Sequence, residues 1–203
     1  MKIVIVNYGM GNIHSLNSAL KASGCTDVEL SSDYEVIQSA DKIILPGVGN
    51  FSKAMDLIKS CNLEESLYDF VVVKQKPILG ICLGMQLLGL SSTEDGTRDG
   101  LKFVNGVVER FNSKDLKVPH VGYNQVQINP QTVLLKSLPE LSDFYFTHSY
   151  RMLSDEDINQ SICHYSEDFI ACYEKGNIAG TQFHPELSQK NGLTLLKNFI
   201  EKF

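Results

Sequence analysis

The sequence has few of the features that mark membrane-spanning, disulfide-stabilised or exported proteins. None of its apolar runs approaches the ~18 residues that a membrane-spanning helix needs. Its five cysteines include no C-x-x-C pair, and their odd number and scattered positions favour free thiols in a reducing compartment. The start, Met1–Asn7, is too short and too quickly polar for a signal peptide. We therefore expect a cytoplasmic protein without a membrane partner.

Signals for metals, cofactors and nucleic acids are also weak. No cluster of histidine, cysteine and carboxylate residues has the spacing of a metal site. Gly9-x-Gly11 lacks the third glycine of a dinucleotide-binding fingerprint. The 24 acidic side chains outnumber the 18 basic ones, for a formal net charge of −6, which disfavours a phosphate-backbone partner. We expect no metal ion, no other cofactor and no nucleic acid.

The first half of the chain alternates short apolar segments with helix-like segments. The pattern predicts strands at 3–6, 28–30, 42–45 and 78–81, and helices at 12–22 and 51–73, the second broken near 61–62. A strand–helix alternation of this kind predicts an α/β fold, with an open, mostly parallel sheet and helices on both faces. Active sites in such sheets lie beyond the carboxyl ends of the strands.

The second half changes to a pattern of strands and turns. It predicts strands at 104–108, 123–128, 144–146, 162–165, 170–173 and 178–183, loops at 93–100 and 112–117, and a helix at 193–203. Turn signals such as Asn105-Gly106 and Lys175-Gly176-Asn177 favour hairpins, so these strands should extend the sheet in antiparallel fashion. Since there is no linker, repeat or low-complexity segment, we expect a single domain over residues 1–203.

The most informative segment is Pro77–Gln86, in which an apolar run ends in Gly-x-Cys-x-Gly. Helix-compatible residues follow, so the predicted layout is a strand, a sharp turn at Cys82 and a helix. The two glycines let the backbone turn tightly without side-chain obstruction. The N–H groups at the helix start would favour the thiolate, which is the nucleophile. Cys82 is therefore the predicted nucleophile of an enzyme that works through a covalent intermediate.

A cysteine nucleophile needs a base, and the segment Thr181–Glu186 supplies the best candidate. His184 follows an apolar strand, and Pro185 stops that strand from continuing in a paired ladder. Glu186 should lie near His184 in an exposed turn, where its carboxylate would fix the imidazole tautomer and stabilise the charged form. Cys82, His184 and Glu186 are thus predicted to form a catalytic triad.

An oxyanion hole is predicted at the end of the strand at 42–45. Gly47-Val48-Gly49 follows this strand with small residues that expose backbone N–H groups. The N–H of Val48 could join that of Leu83 in stabilising a tetrahedral oxyanion. Each such donor is worth roughly 10²–10³ in turnover where it has been measured.

Three segments together resemble the class I glutamine amidotransferases, which use such a triad: Pro46–Gly49, Gly80–Gln86 and Gln182–Glu186. Three further segments are similar to the family of glutaminase subunits of imidazole glycerol phosphate synthases: Asn7–Asn12, Lys117–Asn124 and Tyr145–Tyr150. The resemblance runs from Asn7 to the final helix. It implies the flavodoxin-like fold of the class I glutamine amidotransferases.

The resemblance also implies an activity and a substrate. Glutamine would bind with its side-chain amide at Cys82, His184 would protonate the leaving ammonia and then activate water, and Glu186 would orient His184. The residues that the resemblance assigns to glutamine binding are Gly49, Gln86, Glu94, Ser149 and Tyr150.

A partner is implied as well. Members of the family pass ammonia to a (β/α)₈-barrel cyclase subunit, which makes imidazole glycerol phosphate and an aminoimidazole carboxamide ribotide in histidine biosynthesis. The resemblance therefore implies a heterodimer with a barrel cyclase. The residues that it places at or near the docking face are Asn12, His120, Tyr123 and Asn124.

Three positions depart from the family pattern. Asn7 stands where aspartate is common, Tyr123 where tryptophan is usual, and Leu187 where lysine is usual. None belongs to the triad, but Tyr123 and Leu187 bear on docking. A second partner therefore stays open, because paralogous glutaminases supply ammonia to sugar amidotransferase systems that build surface polysaccharide or flagellin glycans.

Several of these residues have simpler explanations. Cys82 alone would suit a buried core position, and Glu94 could be one of several solvated charges in its loop. His148 suits either packing support or a wall of the site. A protease of similar fold and a catalytically silent scaffold are further alternatives. The predicted glutamine-binding residues Gln86 and Glu94 weigh against a protease, and the intact triad weighs against a silent scaffold.

Overall fold

The computed structural model of the chain describes residues 1–112 and 117–203, so most of the loop predicted at 112–117 lies outside the described residues. The first half contains, in order, β1 (Ile3–Val6), α1 (Ile13–Ala22), β2 (Val28–Ser31), α2 (Tyr34–Ser39), β3 (Lys42–Leu45), α3 (Phe51–Ser60), α4 (Leu63–Tyr68), a π-helical turn (Asp69–Val73), β4 (Ile78–Ile81) and α5 (Leu83–Leu87).

The second half is mostly strand, as its turn signals predict. Its elements are β5 (Ser91–Ser92), β6 (Arg98–Asp99), β7 (Val107–Arg110), β8 (His120–Gln127), β9 (Leu141–His148), β10 (Tyr150–Leu153), β11 (Ser161–Tyr165), β12 (Glu167–Lys175), β13 (Ile178–Thr181), a 3₁₀ turn (Pro185–Leu187) and α6 (Gln189–Lys202). No helix among the described residues combines the length and apolar character needed to cross a membrane.

Within the described residues, nine strands form the main sheet in the order β2-β1-β3-β4-β13-β12-β11-β8-β9. The first five strands run parallel, and the other four add in antiparallel fashion from β12 outwards. The remaining strands make a smaller sheet in the order β10-β7-β5-β6. The predicted architecture, parallel first and antiparallel later, is confirmed.

The main sheet is covered on both faces, as alternation along its strands requires. In β1, Ile3 and Ile5 face the core layer that contains Leu16 of α1 and Phe199 of α6. Val4 and Val6 face the opposite layer, formed with α2, α3 and α4. Burying each large aliphatic side chain contributes about 1.5–3 kcal/mol, so the two layers together hold the sheet in place.

The boundaries differ from the predicted ones where tertiary contacts decide them. Helix α2 is not predicted by periodicity, because it has only six residues and depends on the Asp33 side chain, which accepts a hydrogen bond from the Val36 N–H at 3.0 Å. Helix α6 begins at Gln189 instead of 193, since Gly192 packs against the Pro185 carbonyl, where a Cβ would lie at 1.8 Å. The predicted loop at 93–100 contains the short strand β6.

Lys42 ties the sheet to the end of the last helix. Its buried ammonium donates to the carbonyls of Phe199, Ile200 and Phe203, at 2.7, 2.9 and 3.0 Å. These carbonyls have no partner within a helix that ends there, and a cation also suits the negative end of the helix dipole. Lys42 thus caps α6 from β3.

Replacing this cap should destabilise the fold. We expect Lys42→Met, which keeps the aliphatic stem and removes the donor, to lower the free energy of unfolding by about 2 kcal/mol, since hydrogen bonds to charged groups contribute that much. Urea denaturation followed by circular dichroism measures the change. Lys197→Met is the control, because Lys197 on the same helix is exposed and should change stability by less than about 0.5 kcal/mol. Equal effects of the two substitutions would contradict the capping role.

Candidate active site

Cys82 sits at a strained turn between β4 and α5, as the Gly-x-Cys-x-Gly pattern predicts. Its φ of +52° and ψ of −108° are uncommon for a residue with a Cβ. A Cβ on Gly80 would lie 2.7 Å from the Met85 nitrogen, and one on Gly84 would lie 1.8 Å from the Leu45 carbonyl oxygen. Both glycines are therefore required by close backbone packing, and this packing holds the turn.

The pairing of β4 with β13 brings the predicted base to the nucleophile. Thr181 is the register partner of Ile81, and the Cys82 N–H donates to the Thr181 carbonyl at 2.7 Å. The chain then runs on to His184, whose Nδ1 lies 2.9 Å from Glu186 Oε1. Both side chains are buried, so the turn is not exposed as the sequence suggested. The structure thus brings all three triad candidates together.

The electrostatics of His184 differ from those of an isolated buried histidine. Burial opposes the charged imidazolium, whereas the Cys82 sulfur and the Glu186 carboxylate favour it, and together these raise the pKa of His184 to about 10. Nε2 has no hydrogen bond of standard geometry to any described residue, yet the sulfur is near enough to act on this pKa. Since Nδ1 faces the carboxylate, Nε2 is the atom left for proton exchange with the sulfur.

Gln182 is a site residue that the sequence did not single out as one. Its side chain is fully buried, with Nε2 3.7 Å from Cys82 Sγ and Oε1 accepting from Gln86 Nε2 at 2.9 Å. The sequence offers only one signal for it, an amide side chain at the end of an apolar strand. This signal is weak, because many strands carry such residues on a solvent-exposed face. Gln182 thus links Cys82 to Gln86.

The two predicted oxyanion donors lie at the same edge of the sheet. Neither the Val48 nor the Leu83 N–H donates a hydrogen bond to another described residue. The loop that carries Val48 is anchored by Tyr8, whose hydroxyl donates a hydrogen bond to the Pro46 carbonyl at 2.6 Å. Gly49 adopts a φ of +105°, which favours glycine.

A cavity of about 300 Å³ opens beside Cys82. Its walls include all the residues that the resemblance assigned to glutamine binding: Gly49, Gln86, Glu94, Ser149 and Tyr150. Glu94 also has a structural contact, since its Oε2 accepts from the Phe51 N–H at the start of α3 at 2.7 Å. Thr147, His148 and Pro119 complete the wall. The described residues contain no group of three or more potential ligands placed to hold a metal ion.

The residues predicted at the docking face divide into two groups. Tyr123 is 49% exposed, and Asn12 and Asn124 are partly exposed. The His120 side chain is only 3% exposed, so it lies behind this face instead of on it. It stacks on Tyr165, with ring centroids 3.9 Å apart. His148 packs against His120 and also lines the cavity, so it has both of the roles left open by the sequence, packing support and site wall.

The fold and the site define a class of enzyme. The family model for class I glutamine amidotransferases matches residues 4–203, and the chain belongs to this family. A crystal structure of a glutamine amidotransferase superposes with a TM-score of 0.77 at 18% identity, covering 98% of this chain and 97% of that one, which supports the fold.

Curated relatives are closer in sequence. The imidazole glycerol phosphate synthase subunit HisH 2 of Pseudomonas aeruginosa is 42% identical over 201 residues, which cover 98% of each chain. The corresponding HisH subunit of Aquifex aeolicus is 42% identical over 203 residues, covering 100% of this chain and 97% of that one. This chain is thus similar over its whole length to subunits of that synthase.

The buried pair His120 and His148 should make the fold sensitive to mild acid. Burial lowers the pKa of His120 to about 4 and that of His148 to about 3, from an unfolded value near 6.5. Below pH 6.5 the unfolded chain therefore binds protons that the folded chain does not. Stability should fall between about pH 6.5 and about pH 5, by up to about 1.4 kcal/mol per pH unit for each histidine.

Urea unfolding at a series of pH values measures this dependence. The double variant His120→Phe with His148→Phe removes both groups and should flatten the profile in the same window. The window ends near pH 5 because carboxylates begin to titrate below it. An unchanged slope in the double variant would show that other groups cause the acid sensitivity.

Proposed function

We propose that this protein is the glutaminase subunit of an imidazole glycerol phosphate synthase. It would hydrolyse glutamine to glutamate and ammonia, and deliver the ammonia to a (β/α)₈-barrel cyclase in a cytoplasmic heterodimer. The cyclase would form imidazole glycerol phosphate and aminoimidazole carboxamide ribotide in histidine biosynthesis. The observation that carries the proposal is the meeting of Cys82, His184 and Glu186 beside the cavity, in a chain 42% identical to HisH subunits.

The first half-reaction forms a thioester. The Cys82 thiolate attacks the carboxamide carbon of glutamine, and the N–H groups of Val48 and Leu83 stabilise the oxyanion. His184, protonated at Nε2, gives its proton to the amide nitrogen as the C–N bond breaks. The products of this step are ammonia and a γ-glutamyl thioester on Cys82.

The second half-reaction releases glutamate. His184, now neutral at Nε2, removes a proton from water, and the resulting hydroxide attacks the thioester carbon. Collapse of the second oxyanion breaks the C–S bond and restores the thiolate beside the imidazolium. Glu186 stays ionised throughout and stabilises the imidazolium through Nδ1–H, at 2.9 Å.

The site supports glutamine as the substrate through its size and its polar walls. The cavity of about 300 Å³ suits a single amino acid, and Cys82 is one of the residues that line it. The Glu94 carboxylate would attract the α-ammonium of glutamine, while backbone groups at Ser149 and Tyr150 offer further hydrogen bonds. The side chain of glutamine would then extend past Gly49 towards the sulfur.

The docking face lies next to the triad. Val121, Tyr123 and Leu187 are 57%, 49% and 37% exposed and form an apolar surface suited to a protein partner. The Tyr123 hydroxyl donates to the Leu187 carbonyl at 2.7 Å. Two of the three positions that depart from the family pattern, Tyr123 and Leu187, are thus in contact, and they connect β8 to the turn that carries Glu186.

The nucleophile is tested by Cys82→Ala in the presence of the barrel cyclase and its ribonucleotide substrate. We expect glutamine-dependent product formation to vanish, because no thioester forms. Added ammonium salt should restore product formation, since the cyclase would need only ammonia. The assay follows glutamate release and product absorbance. Cys61→Ala is the matched control and should retain activity, because Cys61 is a partly exposed cysteine on the far end of α3.

The outcomes separate the chemistry from the partner. Full glutamine-dependent activity in Cys82→Ala would refute the glutaminase mechanism. Labelling of Cys82 by a glutamine-analogue electrophile, without any stimulation of glutamine hydrolysis by the cyclase, would keep the glutaminase and reject the cyclase as acceptor. The sugar amidotransferase systems would then be the partner to test.

The orienting role of Glu186 is tested by Glu186→Gln, which is isosteric and uncharged. We expect kcat to fall by about 10²–10⁴-fold, because the imidazolium loses its carboxylate and His184 becomes a poorer acid–base group. Steady-state kinetics with glutamine, at fixed cyclase concentration, measures the change. A variant with wild-type kcat would exclude Glu186 from the triad. Glu64→Gln, at an exposed position on α4, is the control.

A further inference from the structure

A chain of hydrogen bonds runs from the predicted docking face into the core beside the pocket. Asn124 Nδ2 lies 3.5 Å from His120 Nε2, and His120 Nδ1 lies 3.0 Å from His148 Nε2. His148 Nδ1 in turn lies 2.8 Å from the Tyr150 carbonyl oxygen. None of these histidine contacts belongs to the triad, and both rings are buried.

The ends of this chain fix the direction of every hydrogen bond in it. The Tyr150 carbonyl can only accept, so His148 must carry its proton on Nδ1 and accept at Nε2. His120 must then donate from Nδ1 and accept at Nε2. At the other end, Asn124 Oδ1 accepts from the Gln125 N–H at 2.8 Å, which turns its amide nitrogen towards His120. Both imidazoles are therefore neutral Nδ1–H tautomers.

The surroundings favour these neutral forms. Tyr165 and Phe146 stack on the two faces of the His120 ring, with centroids 3.9 and 4.9 Å away. Burial lowers the pKa of both imidazoles, and an added proton would set two N–H groups against each other at 3.0 Å. The pair thus forms a rigid connection that does not ionise near neutral pH.

The inner end of the chain reaches the nucleophile. The Tyr150 carbonyl also accepts from Gln86 Nε2 at 3.0 Å. Gln86 Nε2 donates in addition to Gln182 Oε1 at 2.9 Å, and Gln182 Nε2 lies 3.7 Å from Cys82 Sγ. Tyr150 and Gln86 both line the pocket, so the position of one carbonyl group affects the wall on which glutamine would rest.

We propose that His120 and His148 are positioning residues of the glutamine site, a neutral pair that holds the Tyr150 carbonyl against the Gln86 amide. The proposal rests on the glutaminase function proposed above. The two histidines do not touch the reacting atoms. They set the distance and direction of the hydrogen bonds from the pocket wall. The chain ends at Asn124, a partly exposed residue that the resemblance places at or near the docking face.

Kinetics with the cyclase complex test the positioning role. His148→Phe and His120→Phe keep an aromatic ring and remove the hydrogen bonds. Each should raise the KM for glutamine about tenfold, as expected for loss of one buried hydrogen bond, with less than about a threefold change in kcat. His164→Phe is the matched control, because the His164 side chain is exposed on β11. Only its backbone carbonyl contacts the chain of hydrogen bonds, as the acceptor from Asn124 Nδ2 at 3.1 Å, and the substitution keeps this carbonyl. Wild-type KM values in both variants would overturn the proposal.

Nitrogen NMR of the histidine-labelled wild-type protein tests the geometry without any assay of activity. The imidazole shifts distinguish the two tautomers, and the Phe variants assign the signals among the five histidines. We expect neutral Nδ1–H forms of both residues at neutral pH. A cationic ring or an Nε2–H tautomer at His148 would overturn the proposal. If the variants fail to fold, through-bond correlation of each ring with its own backbone assigns the signals of the wild-type protein instead. Absence of glutamine hydrolysis by the wild-type complex would instead refute the proposed function.

Discussion

The site depends on the parallel pairing of β4 with β13. These strands are about a hundred residues apart in the chain, and their register places Ile81 beside Thr181, so the cysteine and the histidine segment emerge at one edge. The hydrogen bond from the Cys82 N–H to the Thr181 carbonyl extends this pairing one residue beyond the strand. A slip of one residue would turn every side chain of β13 to the opposite face and remove His184 from the sulfur.

Close packing allows only this register, and it also holds the backbone of Cys82 in its strained conformation. A Cβ on Gly180 would lie 2.6 Å from the Tyr173 ring and 2.8 Å from Met85, so β13 fits only where a glycine faces α5. The positive φ at Cys82 persists because the packing of the neighbouring residues leaves the turn no other conformation. Because the glycines on both strands allow this close packing against α5, the packing of the core fixes the position of the Cys82 sulfur.

Sequence reasoning succeeded where the signal was local and failed where it was tertiary. The turn at Cys82 follows from the glycine spacing, and the division into a parallel first half and an antiparallel second half follows from the hydrophobic pattern and the turn signals; both are confirmed. The contact of Gln182 with Cys82 and the burial of the His120 ring were not predicted, because a polar residue in a strand has the same sequence pattern whether it faces solvent or a buried partner. Strand β10 was missed for a similar reason, since it exists through its pairing with β7, about forty residues earlier.

Two buried histidines near the cavity take different charge states, one cationic and one neutral, because their partners differ. Burial alone would lower the pKa of both, but the Cys82 sulfur and the Glu186 carboxylate stabilise the His184 cation, whereas His148 faces a carbonyl and a second imidazole. The charge on His184 lowers the pKa of His148 further and so helps keep His148 neutral. The charge therefore stays on His184 beside the Glu186 carboxylate, because the neutral pair offers no favourable place for a proton.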